Sequence, residues 1–139
     1  MGKRPPLRYE SAPYEKAKHG AFVCTSWCTG SGMPAVTLER KLASPDVRCL
    51  VAHKPGEPET LYGWAATELR HGQWCVLWCY TRDLYGRVRG RGVMTGLLLE
   101  LGVDVSQPTP CLYWSPDAAE IAARGYGFIY APRGLKEAA

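Results

Sequence analysis

Residues 83–101 of this chain read DLYGRVRGRGVMTGLLLEL. A segment rich in glycine and arginine leads directly into an apolar run, and that run predicts a buried helix over 93–101. Glycine lets a ligand approach the backbone closely, and the start of a helix offers unpaired N–H groups with a partial positive charge. These features together bind phosphate, and arginine side chains add bidentate contacts. The stretch therefore predicts an anion site at residues 85–95.

Common phosphate motifs do not explain this segment. The chain has no Gly-x-x-x-x-Gly-Lys-Ser/Thr sequence, and the spacing Gly-x-Gly-x-x-Gly does not fit the loop. Two other interpretations remain open, namely an Arg/Gly segment that binds RNA and a solvated loop. RNA-binding Arg/Gly segments are usually longer disordered repeats, so the phosphate interpretation is favoured.

The flanking sequence predicts one mixed, mostly antiparallel α/β (α+β) sheet with helices on its faces. Apolar, aromatic and β-branched runs indicate strands, and helix starts are marked by Pro34 and by Ser115-Pro116-Asp117. Residues 1–20 are predicted to form a basic N-terminal arm, and residues 21–139 a single domain. The predicted strands are 21–28, 47–54, 61–69, 74–82, 111–114 and 128–131, and the predicted helices are 34–44, 93–101 and 115–124.

Composition sets limits on the class of protein. A chain of 139 residues with a hydrophobic fraction of 46% can bury a core as one domain, which excludes a disordered chain. The net charge of +4 suits an anionic small ligand and is weak for a dedicated nucleic-acid binder. We expect no membrane span and no signal peptide, and hence a cytoplasmic protein.

The six cysteines raise the question of a metal site. They include the pairs Cys24/Cys28 and Cys75/Cys79, and no Cys-x-x-Cys knuckle occurs. Both pairs lie in runs predicted as strands, where residues four apart are separated by roughly 13 Å, too far for one ion. We therefore expect reduced thiols that serve as small buried hydrophobes, and no metal.

The segment from Tyr85 to Leu99 resembles the acetyl-CoA pyrophosphate loop of the GCN5-related N-acetyltransferases, whose pattern is Arg/Gln-x-x-Gly-x-Gly/Ala. Two frames fit, one starting at Arg87 and one at Arg89, and the second matches the helix phase better. The predicted element order and the closing Gly127-Phe128 strand are also similar to that family. The resemblance implies an acyl-CoA N-acyltransferase-like fold, a compact stand-alone member, and acetyl-CoA as co-substrate.

The resemblance also implies which residues bind acetyl-CoA. The pantetheine arm would lie between the fourth strand and the strand at 111–114, as an additional strand. Backbone N–H groups near Arg91 to Thr95 would hold the pyrophosphate, and the guanidinium of Arg87 or Arg89 would pair with its negative charge. The full implied set is Leu84, Arg87, Arg89, Gly90, Arg91, Gly92, Val93, Met94 and Thr95.

Catalytic candidates are less well marked. The family often has a tyrosine and an asparagine on its last helix, and these positions fall on Ala123 and Pro116 here. Tyr113 and Tyr126 are substitute acids by proximity only, while Asp83 and Glu68 are candidate bases. Both departures from the family pattern weaken the case for an ordinary mechanism.

Three functions follow from this interpretation. The first is acetyl-CoA-dependent transfer of an acetyl group to an amine acceptor, which could belong to a protein. The second is a degenerate member of the fold that binds a partner such as a host enzyme without catalysis, which the missing tyrosine and asparagine motivate. A compact member of this kind is also similar to small proteins that bacteriophages carry. The third, disfavoured, is nucleic-acid binding through the Arg/Gly loop. The acceptor and the oligomeric state stay open.

Overall fold

A computed structural model of the protein describes residues 5–82 and 88–132. These residues form one six-stranded sheet in the order β1-β2-β3-β4-β5-β6, with helices between the strands. The elements are β1 (Glu10–Pro13), α1 (Lys16–Ser31), α2 (Ala35–Leu42), β2 (Val47–Lys54), β3 (Glu57–Arg70), β4 (Gln73–Thr81), α3 (Val93–Glu100), β5 (Thr109–Cys111), α4 (Pro116–Ala123) and β6 (Phe128–Tyr130).

The strands separate in the middle of the sheet. The first four strands pair antiparallel, whereas β4 pairs with β5 in parallel through the single register pair Val76 and Cys111. The last bond of this pair runs from the Leu112 N–H to the Val76 carbonyl, at 2.8 Å. Strand β4 continues to Thr81, which leaves roughly 16 Å of strand beyond the pairing. A gap therefore opens between β4 and the chain that follows β5.

Two apolar clusters cover the two faces of the sheet. On one face α1 and α2 bury Val23, Trp27 and Leu38 against the sheet residues Trp64 and Leu77. On the other face, α3 and α4 pack on the sheet through the side chains Val93, Leu97, Leu98, Ala118 and Ile121. The expected mixed sheet with helices on both faces is confirmed.

The predicted strand at 21–28 is wrong, because these residues belong to helix α1. Their β-branched and aromatic composition favours a strand locally. In the tertiary structure, however, Val23 and Trp27 are four residues apart and fully buried on one helical face. Burial of that face decides the conformation over local propensity. Cys24 and Cys28 consequently lie on a helix.

The described part of the predicted arm is built into the fold. The sequence predicts an arm up to residue 20, whereas β1 pairs with β2 and α1 begins at Lys16. Residues 5–9 lie over α3, where the Leu7 N–H donates to the Arg91 carbonyl at 2.9 Å. The Tyr9 hydroxyl donates to Glu100 at 2.8 Å. We call residues 5–9 the N-terminal strap.

Most other predicted elements are confirmed within a few residues. Strand β2 has the predicted bounds, and α4 begins where Ser115 accepts a hydrogen bond from the Ala118 N–H at 3.0 Å. Strand β5 ends at Cys111, earlier than predicted, because the chain has left β4 by Tyr113. Among the described residues, no helix combines the length and the apolar character that crossing a bilayer requires.

Candidate functional site

Two clefts meet at the gap between β4 and β5. The loop cleft has a volume of about 750 Å³ and lies at the start of α3, between residues 88–95 and α4. The helix cleft, of about 720 Å³, lies between α1, the end of β4 and the start of α4. Arg89 and Asp117 line both clefts. The sheet is thus accessible from both sides at one point.

Glycines shape the wall of the loop cleft. Gly90 and Gly92 have φ angles of 75° and 86°, a left-handed conformation that side chains rarely adopt. Gly92 caps α3, and the first intrahelical bond runs from the Gly96 N–H to the Gly92 carbonyl at 3.0 Å. The amides of Val93, Met94 and Thr95 therefore have no partner inside the helix. This arrangement of amides and glycines suits a diphosphate.

Arg89 forms an ion-paired cluster at the junction of the clefts. Its guanidinium bonds to the Asp117 carboxylate and, at 2.6 Å, to Glu120 on α4. Arg124 also pairs with Glu120, at 2.7 Å. The predicted phosphate-binding residue Arg89 is therefore held by carboxylates of α4 in this structure. We call the set Arg89, Asp117 and Glu120 the junction clasp.

Asp117 is the residue of the site that the sequence analysis missed. It is 5% exposed, and its carboxylate also accepts the Thr81 N–H at 2.6 Å. Burial raises the pKa of Asp117, while the Arg89 guanidinium and the Thr81 N–H act in the opposite direction. The sequence marked Asp117 as a favourable charge at a helix start, with no signal that it reaches across to β4.

Two side chains at the start of α4 form hydrogen bonds with the backbone groups of β4 that face the gap. The Ser115 hydroxyl donates a hydrogen bond to the Cys79 carbonyl at 3.2 Å, and the Asp117 carboxylate accepts one from the Thr81 N–H. A carbonyl and an N–H two residues apart on one edge are the groups with which an extended ligand would pair. The gap thus has the shape and backbone groups to pair with an additional strand. In this structure the side chains of Ser115 and Asp117 bond to those groups instead.

The remaining predicted cofactor residues fall into two groups. Gly90, Gly92, Val93, Met94 and Thr95 line the loop cleft together with Arg89 and Arg91. The Arg91 Nε donates to the Pro5 carbonyl at 2.9 Å, which ties the loop to the N-terminal strap. Leu84 and Arg87, and with them the catalytic candidate Asp83, lie outside the described residues.

Two other catalytic candidates lie away from the cleft walls. Glu68 is buried on β3 in ion pairs with Lys41, at 3.2 Å, and with Arg70. Tyr113 packs edge-on against Trp27, with ring centroids 5.0 Å apart. Neither lines either cleft, so their catalytic roles stay predictions.

Two other tyrosines do line the clefts. Tyr126 borders the loop cleft, and Tyr80 on β4 borders the helix cleft. Tyr80 packs against Phe22 with ring centroids 5.8 Å apart. The family resemblance implies that the thioester of acetyl-CoA points at the region of Tyr80, Asp83 and Tyr113, and of these three Tyr80 lines the helix cleft.

The thiols show no metal-binding arrangement. All six cysteines are free, and Cys75, Cys79 and Cys111 are buried. Burial raises the pKa of Cys111 to about 12. The described ranges contain no group of three or more His, Cys, Asp or Glu side chains placed to hold a metal ion.

No model of a known protein family matches the sequence, and no curated protein matches it. Solved structures do match. NAA60 of Arabidopsis thaliana, in complex with a bisubstrate analogue, aligns with a TM-score of 0.55 at 14% identity, over 85% of this chain and 82% of that chain. An aminoglycoside 6'-N-acetyltransferase from Acinetobacter baumannii aligns with a TM-score of 0.54 at 11% identity, over 68% of this chain and 69% of that chain.

A third match is a GCN5-related glucosamine N-acetyltransferase region of a fungal multi-domain β-N-acetylglucosaminidase, with a TM-score of 0.50 at 16% identity. It covers 66% of this chain and 11% of that chain. These likenesses define the class by architecture: the chain has an acyl-CoA N-acyltransferase-like fold. More specifically, its fold is that of the GCN5-related N-acetyltransferases, as the sequence resemblance predicts.

Proposed function

We propose that this protein is an N-acetyltransferase that moves an acetyl group from acetyl-CoA to an amine. The observation that carries the proposal is the meeting of two separate clefts at the gap between β4 and β5. One cleft offers glycines and helix amides for a diphosphate, and the other offers an independent approach for an acceptor. Transfer between two substrates needs this arrangement, because both must reach one point from different sides.

Acetyl-CoA would occupy the loop cleft and the gap. The amides of Val93 to Thr95 would hold its diphosphate, and the glycines leave room for close approach. The Cys79 carbonyl and the Thr81 N–H would pair with the amides of its pantetheine arm. These two groups now bond to Ser115 and Asp117, so binding requires that both side chains release the backbone of β4.

Transfer needs proton exchange at two atoms. The amine nitrogen attacks the thioester carbon, the carbon–sulfur bond breaks, and the thiolate leaves with a proton from an acid. Tyr80 borders the helix cleft and is the candidate acid. Asp83 lies outside the described residues, and we keep it as the candidate base for the amine proton on the strength of the sequence resemblance.

Thr95→Glu tests the placement of acetyl-CoA. Thr95 is at the third position of α3 and lines the loop cleft. A carboxylate there is favourable to the helix by about 0.3–1 kcal/mol, and it repels a diphosphate. The fold should persist while binding is lost. Thr37→Glu is the matched control, because Thr37 holds the same position in α2, outside both clefts.

The measurement is the melting midpoint with and without acetyl-CoA. Saturation to about 100 times the dissociation constant adds about 2.7 kcal/mol of stability. We expect the midpoint to rise in the wild type and in Thr37→Glu, with little rise in Thr95→Glu. An unchanged wild-type midpoint would overturn acetyl-CoA as ligand. An equal rise in Thr95→Glu would overturn the loop cleft as its site.

One observation favours a second candidate, a protein of the same fold that binds a partner without catalysis. The side chains of Ser115 and Asp117 bridge the gap that a ligand would fill. Incubation with acetyl-CoA and a pool of amines, followed by mass spectrometry, separates the two candidates. Acetylated products support the enzyme. A midpoint shift without any acetyl transfer or acetyl-CoA loss supports the binding protein.

A further inference from the structure

We propose that the helix cleft selects an aromatic amine that carries a carboxylate, such as an aromatic α-amino acid, and disfavours polycationic acceptors. The inference rests on the acetyltransferase function proposed above and names the acceptor class of that site. Three observations on the described walls of the cleft carry it: their aromatic surface, their exposed hydroxyl groups, and their charge.

The aromatic surface comes from both sides of the cleft. Phe22 of α1 and Tyr80 of β4 meet edge to face and are half-buried, whereas Trp78, which also lines the cleft, is 2% exposed. Trp78 packs closely under the helix, because a Cβ at Gly30 would lie 2.7 Å from its ring. Aromatic faces of this kind bind flat apolar bodies through stacked or edge-on contacts.

Polar groups in the wall suit hydrogen-bonding ligands. Thr25 and Thr29 are exposed on the α1 side of the cleft. Their hydroxyl groups can donate hydrogen bonds to a ligand that has acceptor atoms.

The described walls of the cleft carry one more positive than negative charge. Its described walls hold Arg82, Arg89 and one carboxylate, Asp117. Both oxygens of Asp117 are already engaged, one by Arg89 and one by the Thr81 N–H. No carboxylate of these walls is left to receive a second or third ammonium group. Arg82 is exposed at the end of β4 and forms no salt bridge among the described residues, so it can meet a substrate carboxylate.

The test compares acceptors that differ in one group. Phenylalanine and phenethylamine share the ring and the amine, and only phenylalanine has the carboxylate. Spermidine and kanamycin represent polycations. We expect kcat/KM for acetylation to be highest for phenylalanine, lower by about tenfold for phenethylamine, and lowest for the polycations.

Arg82→Gln supplies the second half of the test, with Arg40→Gln as matched control. Arg40 is an exposed residue of α2 outside the cleft, so the control removes the same charge elsewhere. Arg82→Gln should lower kcat/KM for phenylalanine by about tenfold and leave phenethylamine unchanged. Arg40→Gln should change neither. Preference for a polycation, or an Arg82→Gln variant equal to the wild type, would overturn the acceptor class.

A binding measurement keeps this inference separate from the proposed function. Tryptophan fluorescence, to which Trp78 in the cleft wall contributes, reports phenylalanine binding without acetyl-CoA. Phenylalanine binding that weakens in Arg82→Gln supports the acceptor class even if acetyl-CoA does not bind. Acetyl transfer to spermidine with no response to phenylalanine would refute the acceptor class and leave the acetyltransferase function standing.

Discussion

We expect Gly96→Ala to destabilise the protein when residue 9 is tyrosine and to stabilise it when residue 9 is alanine. Gly96 lies inside α3, directly under the Tyr9 ring of the N-terminal strap. A Cβ at this position would overlap the Tyr9 hydroxyl and lie 3.1 Å from its Cζ. The Tyr9 hydroxyl in turn bonds to Glu100 at 2.8 Å. The substitution therefore tests whether the strap is packed onto the helix that borders the loop cleft.

Two opposing contributions to the free energy of unfolding determine the net effect of Gly96→Ala. Alanine in place of glycine inside a helix contributes about 1 kcal/mol of stability. Displacing the Tyr9 ring by overpacking costs about 1–3 kcal/mol, which includes the bond to Glu100. In the wild type we expect a net loss of about 1 kcal/mol. In a Tyr9→Ala background the obstacle is gone, so Gly96→Ala should raise stability by about 1 kcal/mol.

The assay is urea unfolding of the four proteins of this double-mutant cycle. Tyr9→Phe is a third background, in which the hydroxyl is removed and the ring stays, and it should give an intermediate effect. The coupling between residues 9 and 96 should be about 2 kcal/mol. An increase in stability of the same size in all three backgrounds would refute the packing of the strap on α3.

Three further predictions concern other parts of the molecule. Ser115→Ala removes the cap of α4 and the bond to the Cys79 carbonyl, so the free energy of unfolding should fall by about 1–2 kcal/mol in urea titrations; an unchanged value would contradict the bridge across the gap. His19 accepts the Glu15 N–H through Nδ1, and burial lowers its pKa from 6.5. The unfolded chain therefore binds more protons, so stability should be complete above pH 6.5 and fall as the pH drops below it. His19→Gln should flatten this dependence, and a slope as steep as that of the wild type would exclude His19 as its source. Burial raises the pKa of the Cys79 thiol, so Cys79 should react with a thiol reagent far more slowly in the native protein than in the unfolded chain, as mass spectrometry of labelled peptides can show; equally fast labelling of the two would contradict its burial.

Local sequence signals predicted a large part of the fold. Pro34 before α2 and Ser115 before α4 satisfy requirements of helix starts that involve only neighbouring residues. The turn at Gly56 separates β2 from β3, and left-handed glycines precede α3. Because these requirements are local, the sequence reveals them without knowledge of the tertiary structure.

Helix α1 shows where local signals fail. The run around Val23 and Trp27 has the composition of a strand, yet it forms a helix of 16 residues. One helical face of the run is buried against Trp78, whose ring centroid lies 5.0 Å from that of Trp27. The helix is favoured only because the sheet lies on that side and buries this face. Sequence composition alone does not indicate that the sheet is there.

The candidate site also has one part that the sequence predicts and another that only the tertiary structure reveals. The sequence by itself determined the glycine-rich loop and the start of α3, because backbone freedom and helix amides are properties of a continuous segment. Only the tertiary structure decided that Arg89 pairs with Asp117, a residue 28 positions away, and that Asp117 reaches the Thr81 N–H. The physical reason is that these contacts depend on the separation of β4 from β5, which brings distant residues together.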